Sequence, residues 1–182
     1  ARPGSGERGP DGRQAGEFTL SEALFDSFRF NLSRQIVGEV RGHEILAMLK
    51  AMESGAGSIS TTHAPSAEGA IAKLVTCAME AGPHVTHDYA VRAIAAAIDV
   101  VVHVHLDTAP TRDGVWQRHR WVAEIITLSP GEKDKGYAIQ HAFRTAVGEQ
   151  VATPHVLDDS YRELARYGFD LDGYVREGRA VS

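Results

Sequence analysis

The chain has 182 residues, of which 43% are hydrophobic and 24% charged, which is enough for one globular domain with its own core and too little to argue for two. Its formal net charge of -5 and its pI near 6.0 disfavour nucleic acid or an anionic membrane surface as the main partner. A single cysteine, Cys77, excludes an internal disulfide framework, and no apolar run approaches the length of a membrane span.

The chain begins with a stretch rich in glycine and proline, and residues 1–16 are predicted to form a flexible leader. Within it, Gly4-Ser5-Gly6-Glu7-Arg8-Gly9 matches the glycine half of a phosphate-binding loop, but Pro10 stands where lysine is required and no strand precedes it. The next segment, Thr19-Leu20-Ser21-Glu22, has the pattern of a capping box. It predicts a helix with Leu24, Phe25 and Phe28 on its apolar face.

Two strand-like segments follow, and each ends in a polar side chain. The run Ile36–Gly42 contains the lone carboxylate Glu39, and the run Gly57–Ala64 ends near His63. A short buried strand can carry a side chain to the carboxyl edge of a parallel sheet, where open α/β folds bind ligands. We therefore expect Glu39 and His63 to share one crevice. Between the two runs a helix is predicted from apolar residues at helical spacing, with a glycine as its carboxyl cap: Ile45, Leu46, Leu49, Met52 and Gly55.

The rest of the chain first continues as helices and then changes to the alternation typical of strands, so we predict an α/β sheet with an added antiparallel meander. Two helices are predicted, from Pro65 to Gly82 and from Thr86 to Ile98. The expected strands are Val100 to Leu106, His119 to Leu128 and Tyr137 to Thr145. The tail, residues 151–182, has enough apolar residues for one or two short helices.

Two of these segments together resemble a known family. The first segment, Gly38-Glu39-Val40-Arg41-Gly42, resembles the Walker B motif of the ATPases of type II and type IV secretion and type IV pilus systems. The second segment, Ser60-Thr61-Thr62-His63-Ala64, resembles the histidine box of the same family. Within the family, the resemblance is greatest to the CpaF-like tight-adherence branch. Three further segments resemble family positions in the same order: Glu17–Leu20, Ala97–Val102 and Arg120–Ile125. The resemblance covers roughly residues 17–145 and implies a partial RecA-like (P-loop NTPase) fold over residues 17–150.

The resemblance implies specific roles for the site residues. Glu39 would polarise the attacking water or hold it near Mg²⁺, and His63 would hydrogen-bond a phosphate oxygen or Glu39 and so report the third phosphate. Arg41 would anchor Glu39 or face a neighbouring subunit. The cofactors implied are ATP and Mg²⁺, with Gly38, Thr61 and Thr62 beside the nucleotide.

The family's phosphate loop, G-x-x-x-x-G-K-[ST], needs a Gly-Lys pair, and this sequence contains none. We therefore expect the Walker A half upstream of Ala1, so that the chain resembles the carboxyl-terminal half of the motor domain. Alone it is expected to be inactive and to bind ATP weakly or not at all. The resemblance further implies a cytoplasmic ring, a hexamer, that works with inner-membrane platform proteins in secretion or pilus assembly, without nucleic acid and without direct membrane insertion.

Other interpretations remain open at this point. The chain could be a non-enzymatic oligomerisation or docking module in which Glu39 only pairs with Arg41 and His63 only begins a helix. A zinc site could use His103-Val104-His105-Leu106-Asp107, whose H-x-H-x-D pattern resembles metallo-β-lactamase-like hydrolases, or His84 and His87. Thr108 stands where that motif continues with histidine, and alternating polar positions on a half-exposed strand are the preferred explanation of the pattern. A DNA-translocating relative would need basic pore loops, and no such cluster occurs in the sequence.

Overall fold

The computed structural model describes residues 6, 8–10, 12, 14–55, 57–131 and 135–181. The chain forms two compact units. We call Ala1–Ala64 with Ala70–Ala97 the helical unit, and Pro65–Gly69 with Ile98–Ser182 the sheet unit. Half of the glycine-rich segment Gly4–Gly9 that matches part of a phosphate loop lies outside the described residues, so that interpretation stays a prediction.

The helical unit begins with the predicted capping box. The Thr19 hydroxyl accepts a hydrogen bond from the Glu22 amide at 3.2 Å, and the Glu22 carboxylate accepts one from the Thr19 amide at 2.8 Å. Helix α1 runs from Leu20 to Ser27 and continues as a 3₁₀ helix, Phe28–Phe30. Asn31 then adopts φ 50°, in the left-handed region that asparagine tolerates, and the chain turns toward the first strand.

Two short parallel strands lead to the loops that contain Glu39 and His63 in this unit. Strand β1 is Arg34–Val37 and strand β2 is Gly57–Ser60, with Val37 paired to Ser60 at their carboxyl ends. The segment between them forms helix α2, Ile45–Glu53, and Gly55 follows it at φ 83°, as the sequence predicts for a carboxyl cap.

Strand β1 is buried on one of its two faces. Gln35 and Val37 are buried, but Ile36 is 78% exposed, because side chains alternate between the faces of a strand and only one face of this pair is covered. Its register partner Ile59 is 62% exposed for the same reason.

Helices α3, Ala67–Met79, and α4, His87–Ala97, follow β2. Thr86 precedes α4 and accepts a hydrogen bond from the Tyr89 amide at 3.2 Å, as an N-cap residue does. The core of the helical unit contains side chains that are no more than 2% exposed: Val40, Ile45, Met48, Ile71 and Ile94. Burial of each such side chain stabilises the fold by about 1.5–3 kcal/mol, so this core is what positions the loops after β1 and β2.

The sheet unit contains the predicted meander. Strands β3 (Val100–Pro110), β4 (Trp116–Pro130), β5 (Tyr137–Thr145) and β6 (Ala152–Pro154) form an antiparallel sheet in chain order. The first three are confirmed, although β3 and β4 extend further into their hairpin than predicted. The short strand β6 was not predicted.

After β6 the chain forms a 3₁₀ helix, Asp159–Tyr167, and helix α5, Leu171–Val181, as two short helical segments. Tyr174 of α5 donates to the Ala142 carbonyl at 2.7 Å and packs edge-on against Phe143, with ring centroids 5.2 Å apart. Burial raises the pKa of this phenol. The tail therefore packs on β5 of its own unit.

The α/β class with flanking helices and an added antiparallel meander is confirmed by this architecture. In the described part of the chain, no helix is both long and apolar enough to cross a lipid bilayer.

Candidate functional site

Glu39 and His63 lie together beyond the carboxyl ends of the parallel strands. Glu39 comes two residues after β1 ends at Val37, and His63 comes three residues after β2 ends at Ser60. His63 Nε2 is 3.4 Å from Glu39 Oε1. The Glu39 side chain is 22% exposed and the His63 side chain 89% exposed, so the pair faces solvent while the carboxylate is the more enclosed member.

Arg41 holds the other oxygen of the same carboxylate. Its Nε donates to Glu39 Oε2 at 2.8 Å and its Nη2 lies 2.5 Å from that atom, so each Glu39 oxygen has its own basic neighbour. The hydrogen bond from Arg41 holds the pKa of Glu39 below its usual range, and the charges of Arg41, His63 and Lys73 act in the same direction. The carboxylate is therefore ionised at neutral pH.

Thr61 and Thr62 connect the two loops. Thr61 donates its hydroxyl hydrogen bond to the Gly38 carbonyl, and Thr62 donates to the Val40 carbonyl at 3.1 Å. The Val40 amide in turn donates to the Thr61 carbonyl at 3.0 Å. Both hydroxyl protons are thus used within the protein, and hydroxyl oxygens retain acceptor capacity only.

Glu44, which sequence reasoning missed, fixes the turn that carries Glu39. Its Oε1 accepts from the Arg41 amide at 2.8 Å and from the Gly42 amide at 3.1 Å. Partial burial acts to raise the pKa of Glu44, but these backbone amides, together with its own, outweigh burial and lower it. A glutamate directly before an apolar helix is a weak sequence signal for such a role, because a side chain that hydrogen-bonds to nearby backbone produces no periodic pattern in the sequence.

Lys73 is a second residue that the sequence did not reveal. Its Nζ, reaching from α3, donates to the His63 carbonyl at 2.9 Å. It thereby brings a positive charge beside the Glu39–His63 pair. Nothing in the helical pattern of α3 distinguishes Lys73 from a solvated surface lysine, so only the tertiary structure identifies it.

Gly38 leaves one side of the site open. A Cβ built on this residue would meet no atom within 4 Å, and its φ lies outside the left-handed region. Neither steric crowding nor backbone conformation therefore requires glycine here. What glycine provides is bare backbone beside Glu39, which permits a ligand to approach closely.

The arrangement around Glu39 is suited to binding Mg²⁺ through a single carboxylate, and not to a metal ion that is held by three or more side chains. An ionised, partly exposed carboxylate can accept a hydrogen bond from a water molecule or bind Mg²⁺, which commonly takes one or two carboxylates and keeps several waters. Within residues 14–55, 57–131 and 135–181, no group of three or more His, Cys, Asp or Glu side chains is arranged to hold a metal ion.

The two histidines of the predicted zinc motif make different contacts. The His105 ring packs against Trp121 with ring centroids 4.6 Å apart and planes tilted by 45°, whereas His103 Nδ1 lies 3.9 Å from Glu124 Oε1. The zinc interpretation thus has no site in the described part of the chain.

Known proteins show partial similarity to this chain. Two curated proteins of Mycobacterium tuberculosis, Toxin MT2730 of strain CDC 1551 / Oshkosh and Toxin Rv2653c of strain ATCC 25618 / H37Rv, are each 34% identical over 68 residues. That match spans 37% of this chain and 63% of each toxin.

The crystal structure of the VirB11 ATPase from the Brucella suis type IV secretion system, in complex with sulphate, is similar at 28% identity and a TM-score of 0.49. This similarity covers 59% of the present chain and 31% of the VirB11 chain. The chain thus spans less than two thirds of the length of these relatives.

A family model matches far more of the sequence. The model for type II/IV secretion system proteins matches residues 13–149, which include the Glu39, Arg41 and His63 loops and the first three strands of the meander. With most of its 182 residues matched, the chain belongs to the type II/IV secretion system protein family.

Proposed function

We propose that this chain is the carboxyl-terminal part of a RecA-like ATPase domain, and that the complete protein is a cytoplasmic motor that hydrolyses ATP to power protein secretion or pilus assembly. The observation that carries the proposal is the 3.4 Å approach of His63 Nε2 to Glu39 Oε1 beyond neighbouring parallel strands. Ligands of open α/β sheets bind at this edge. Membership of the type II/IV secretion system family supports the same activity.

In this proposal, Glu39 orients the attacking water. Phosphoanhydride hydrolysis requires positioning, charge stabilisation and an oriented water more than covalent chemistry. Arg41 keeps the carboxylate ionised through Oε2, which leaves Oε1 directed toward His63. His63 then connects the carboxylate to the third phosphate, while Gly38, Thr61 and Thr62 form the backbone surface beside the nucleotide. Mg²⁺ supplies charge neutralisation between the phosphates when bound.

The phosphate-binding loop is supplied, in this proposal, by residues outside these 182, because the sequence has no Gly-Lys pair. The uncovered apolar face of the β1–β2 pair supports this, since Ile36 and Ile59 are 78% and 62% exposed and a two-stranded sheet is marginal by itself. The chain alone is then inactive. The complete protein forms a ring, a hexamer, that engages platform proteins at the inner membrane.

The test is Glu39→Gln in the complete protein, read out as steady-state ATP turnover. We expect kcat to fall by about 10²–10⁴-fold, because a neutral amide polarises the attacking water far less than a carboxylate does. Glu163→Gln is the matched control, because Glu163 also forms an ion pair with an arginine, Arg166, and lies in the sheet unit. Unchanged turnover in Glu39→Gln would show that Glu39 has no catalytic role. It would favour the non-enzymatic docking module, in which Glu39 and His63 no longer have a function in hydrolysis.

A further inference from the structure

Helix α3 contacts the backbone of the loops that carry Glu39 and His63. Lys73 Nζ donates to the His63 carbonyl at 2.9 Å, and the Cys77 thiol donates to the Arg41 carbonyl at 3.3 Å. All of these residues belong to the helical unit. Lys73 and Cys77 are separated by about one helical turn, so their side chains lie on the same face of α3. One helix therefore holds the backbone of both loops.

The His63 imidazole has little packing of its own to fix its position. Its side chain is 89% exposed, yet Nε2 lies 3.4 Å from Glu39 Oε1. Exposed side chains change rotamer rapidly, so the backbone that carries the imidazole has to be held in place. On the amino side of His63, the Thr62 hydroxyl donates to the Val40 carbonyl at 3.1 Å. Lys73 holds the carboxyl side, because it binds the His63 carbonyl itself.

The ammonium group of Lys73 is suited to this contact. Lys73 is half-buried on α3, unlike a fully solvated surface lysine. An ammonium group that donates to a carbonyl forms a charge-assisted hydrogen bond, which is stronger than one between neutral groups. The hydrogen bond from Arg41 is the main cause of the lowered Glu39 pKa, and the Lys73 charge acts in the same direction. Lys73 thus favours the ionised carboxylate and also holds the loop that carries the neighbouring imidazole.

We propose that Lys73 is a positioning residue for His63: by holding the His63 carbonyl from α3, it keeps the imidazole within reach of Glu39. The Cys77 contact holds the Arg41 backbone from the same helix, so two neighbouring side chains of α3 set the spacing of the two loops. Lys73 contacts backbone and no reacting group, and its effect on turnover rests on the function proposed above.

Backbone ¹⁵N relaxation of this chain tests the positioning step without any activity. Lys73→Met removes the ammonium group and keeps an aliphatic side chain. We expect the order parameters of the His63 and Ala64 amides to fall from about 0.85 to below about 0.6 in this variant. Lys73→Arg keeps a charged donor and should remain near wild type. Lys50→Met is the matched control, because it removes the same charge from an exposed position of α2, and it should leave both amides unchanged.

Two results of the relaxation experiment would overturn the proposal. The first is unchanged order parameters at both amides in Lys73→Met. The second is an equal fall in Lys50→Met, because the effect would then come from the loss of charge and not from the loss of the hydrogen bond. If Lys73→Met does not fold, Lys73→Ala replaces it, since alanine removes the same hydrogen bond and has the highest helix propensity.

Turnover of the complete protein separates this inference from the proposed function. We expect Lys73→Met to lower kcat by about 10- to 100-fold with little change in KM, because the imidazole is misplaced, and Lys73→Arg to restore most of it. If KM rises while kcat is unchanged, Lys73 acts by binding the substrate and the positioning role is wrong.

Glu39→Gln decides how the result for Lys73 is interpreted. If Glu39→Gln lowers turnover while Lys73→Met alters neither kcat nor KM, the positioning role is wrong and the motor function stands. If Glu39→Gln has no effect, the motor function fails, and the relaxation data alone decide whether Lys73 holds His63.

Discussion

Val40 and Thr61 join the loops after β1 and β2 through a hydrogen bond from the Val40 amide to the Thr61 carbonyl at 3.0 Å. The contact lies beyond the last paired residues of the two strands, Val37 and Ser60. The Val40 side chain is fully buried at 0% exposure, between the half-buried Glu39 and the exposed Arg41. One apolar side chain thus fixes the direction in which the adjacent carboxylate points.

Val40→Ala should therefore destabilise the chain and loosen the site together. Removing two buried methyl groups costs about 1–3 kcal/mol in the free energy of unfolding, because transfer and cavity terms add. Urea denaturation measures the loss. Val147→Ala is the matched control, since Val147 is fully exposed and its truncation should change stability by no more than about 0.5 kcal/mol. Equal effects for both variants would contradict the anchoring role of Val40.

Arg41→Gln should raise the pKa of Glu39 toward the ordinary glutamate value of about 4.3, because the dominant hydrogen bond to the carboxylate is lost. Carboxyl ¹³C shifts followed through a pH titration measure this change. Arg92→Gln is the matched control, since Arg92 pairs with Asp88 on α4 and does not contact Glu39. A Glu39 titration that is identical in wild type and Arg41→Gln would exclude Arg41 as the cause.

The direction in which pH changes the folding stability follows from the same lowering of the Glu39 pKa. The folded-state pKa of Glu39 is lower than the unfolded one, so ionisation favours the folded chain above the unfolded pKa. This contribution disappears as the pH falls through the folded-state pKa, in the acid range below about 4.3. In Arg41→Gln the two pKa values converge, and the acid-dependent part of the stability should shrink.

The sequence predicted the parts of this fold that leave a local pattern. The capping box at Thr19, the carboxyl-cap Gly55 and the alternation of β3 to β5 each depend on residues close in the chain. The proximity of Glu39 and His63 was predicted because the carboxyl ends of neighbouring parallel strands share one sheet edge. Their catalytic roles stay predictions.

Other features depend on tertiary contacts and could not be predicted. Strand β6 has three residues and ends in Pro154, so it carries almost no alternation, and it forms by pairing with Phe143 to Thr145. Lys73 and Glu124 look like surface charges in the sequence, and only their hydrogen bonds to His63 and Ala67 distinguish them. Ile36 resembles a core residue, yet nothing described covers its face.

The reactivity of the buried Cys77 thiol reports how tightly the loop that carries Glu39 and Arg41 is packed. Its thiol is 3% exposed, donates to the Arg41 carbonyl at 3.3 Å, and has its pKa raised by burial. Because the thiolate is the reactive form, alkylation by iodoacetamide at neutral pH should be at least about tenfold slower in the folded chain than in urea. Val40→Ala should speed the reaction in the folded chain, and Val147→Ala should not. Equal rates in folded and unfolded chains would show that the thiol is accessible.

Gly38 and Gly55 should respond in opposite ways to alanine. Gly55 has φ 83°, so Gly55→Ala places a Cβ in the left-handed region and should cost about 1–2 kcal/mol in the free energy of unfolding, as measured by urea denaturation. Gly38→Ala meets no atom within 4 Å and should change stability by no more than about 0.5 kcal/mol.

In the complete protein, Gly38→Ala should affect ATP turnover more than Gly55→Ala does. The added methyl group of Gly38→Ala occupies the space where the backbone would approach the nucleotide. We expect Gly38→Ala to lower ATP turnover by at least about tenfold while its stability stays near wild type, and Gly55→Ala to keep turnover per folded molecule. If Gly38→Ala retains full turnover, the ligand does not approach this backbone. The open side of the site beside Glu39 would then face solvent in the working protein, and the nucleotide contacts assigned to Gly38 would have to be withdrawn.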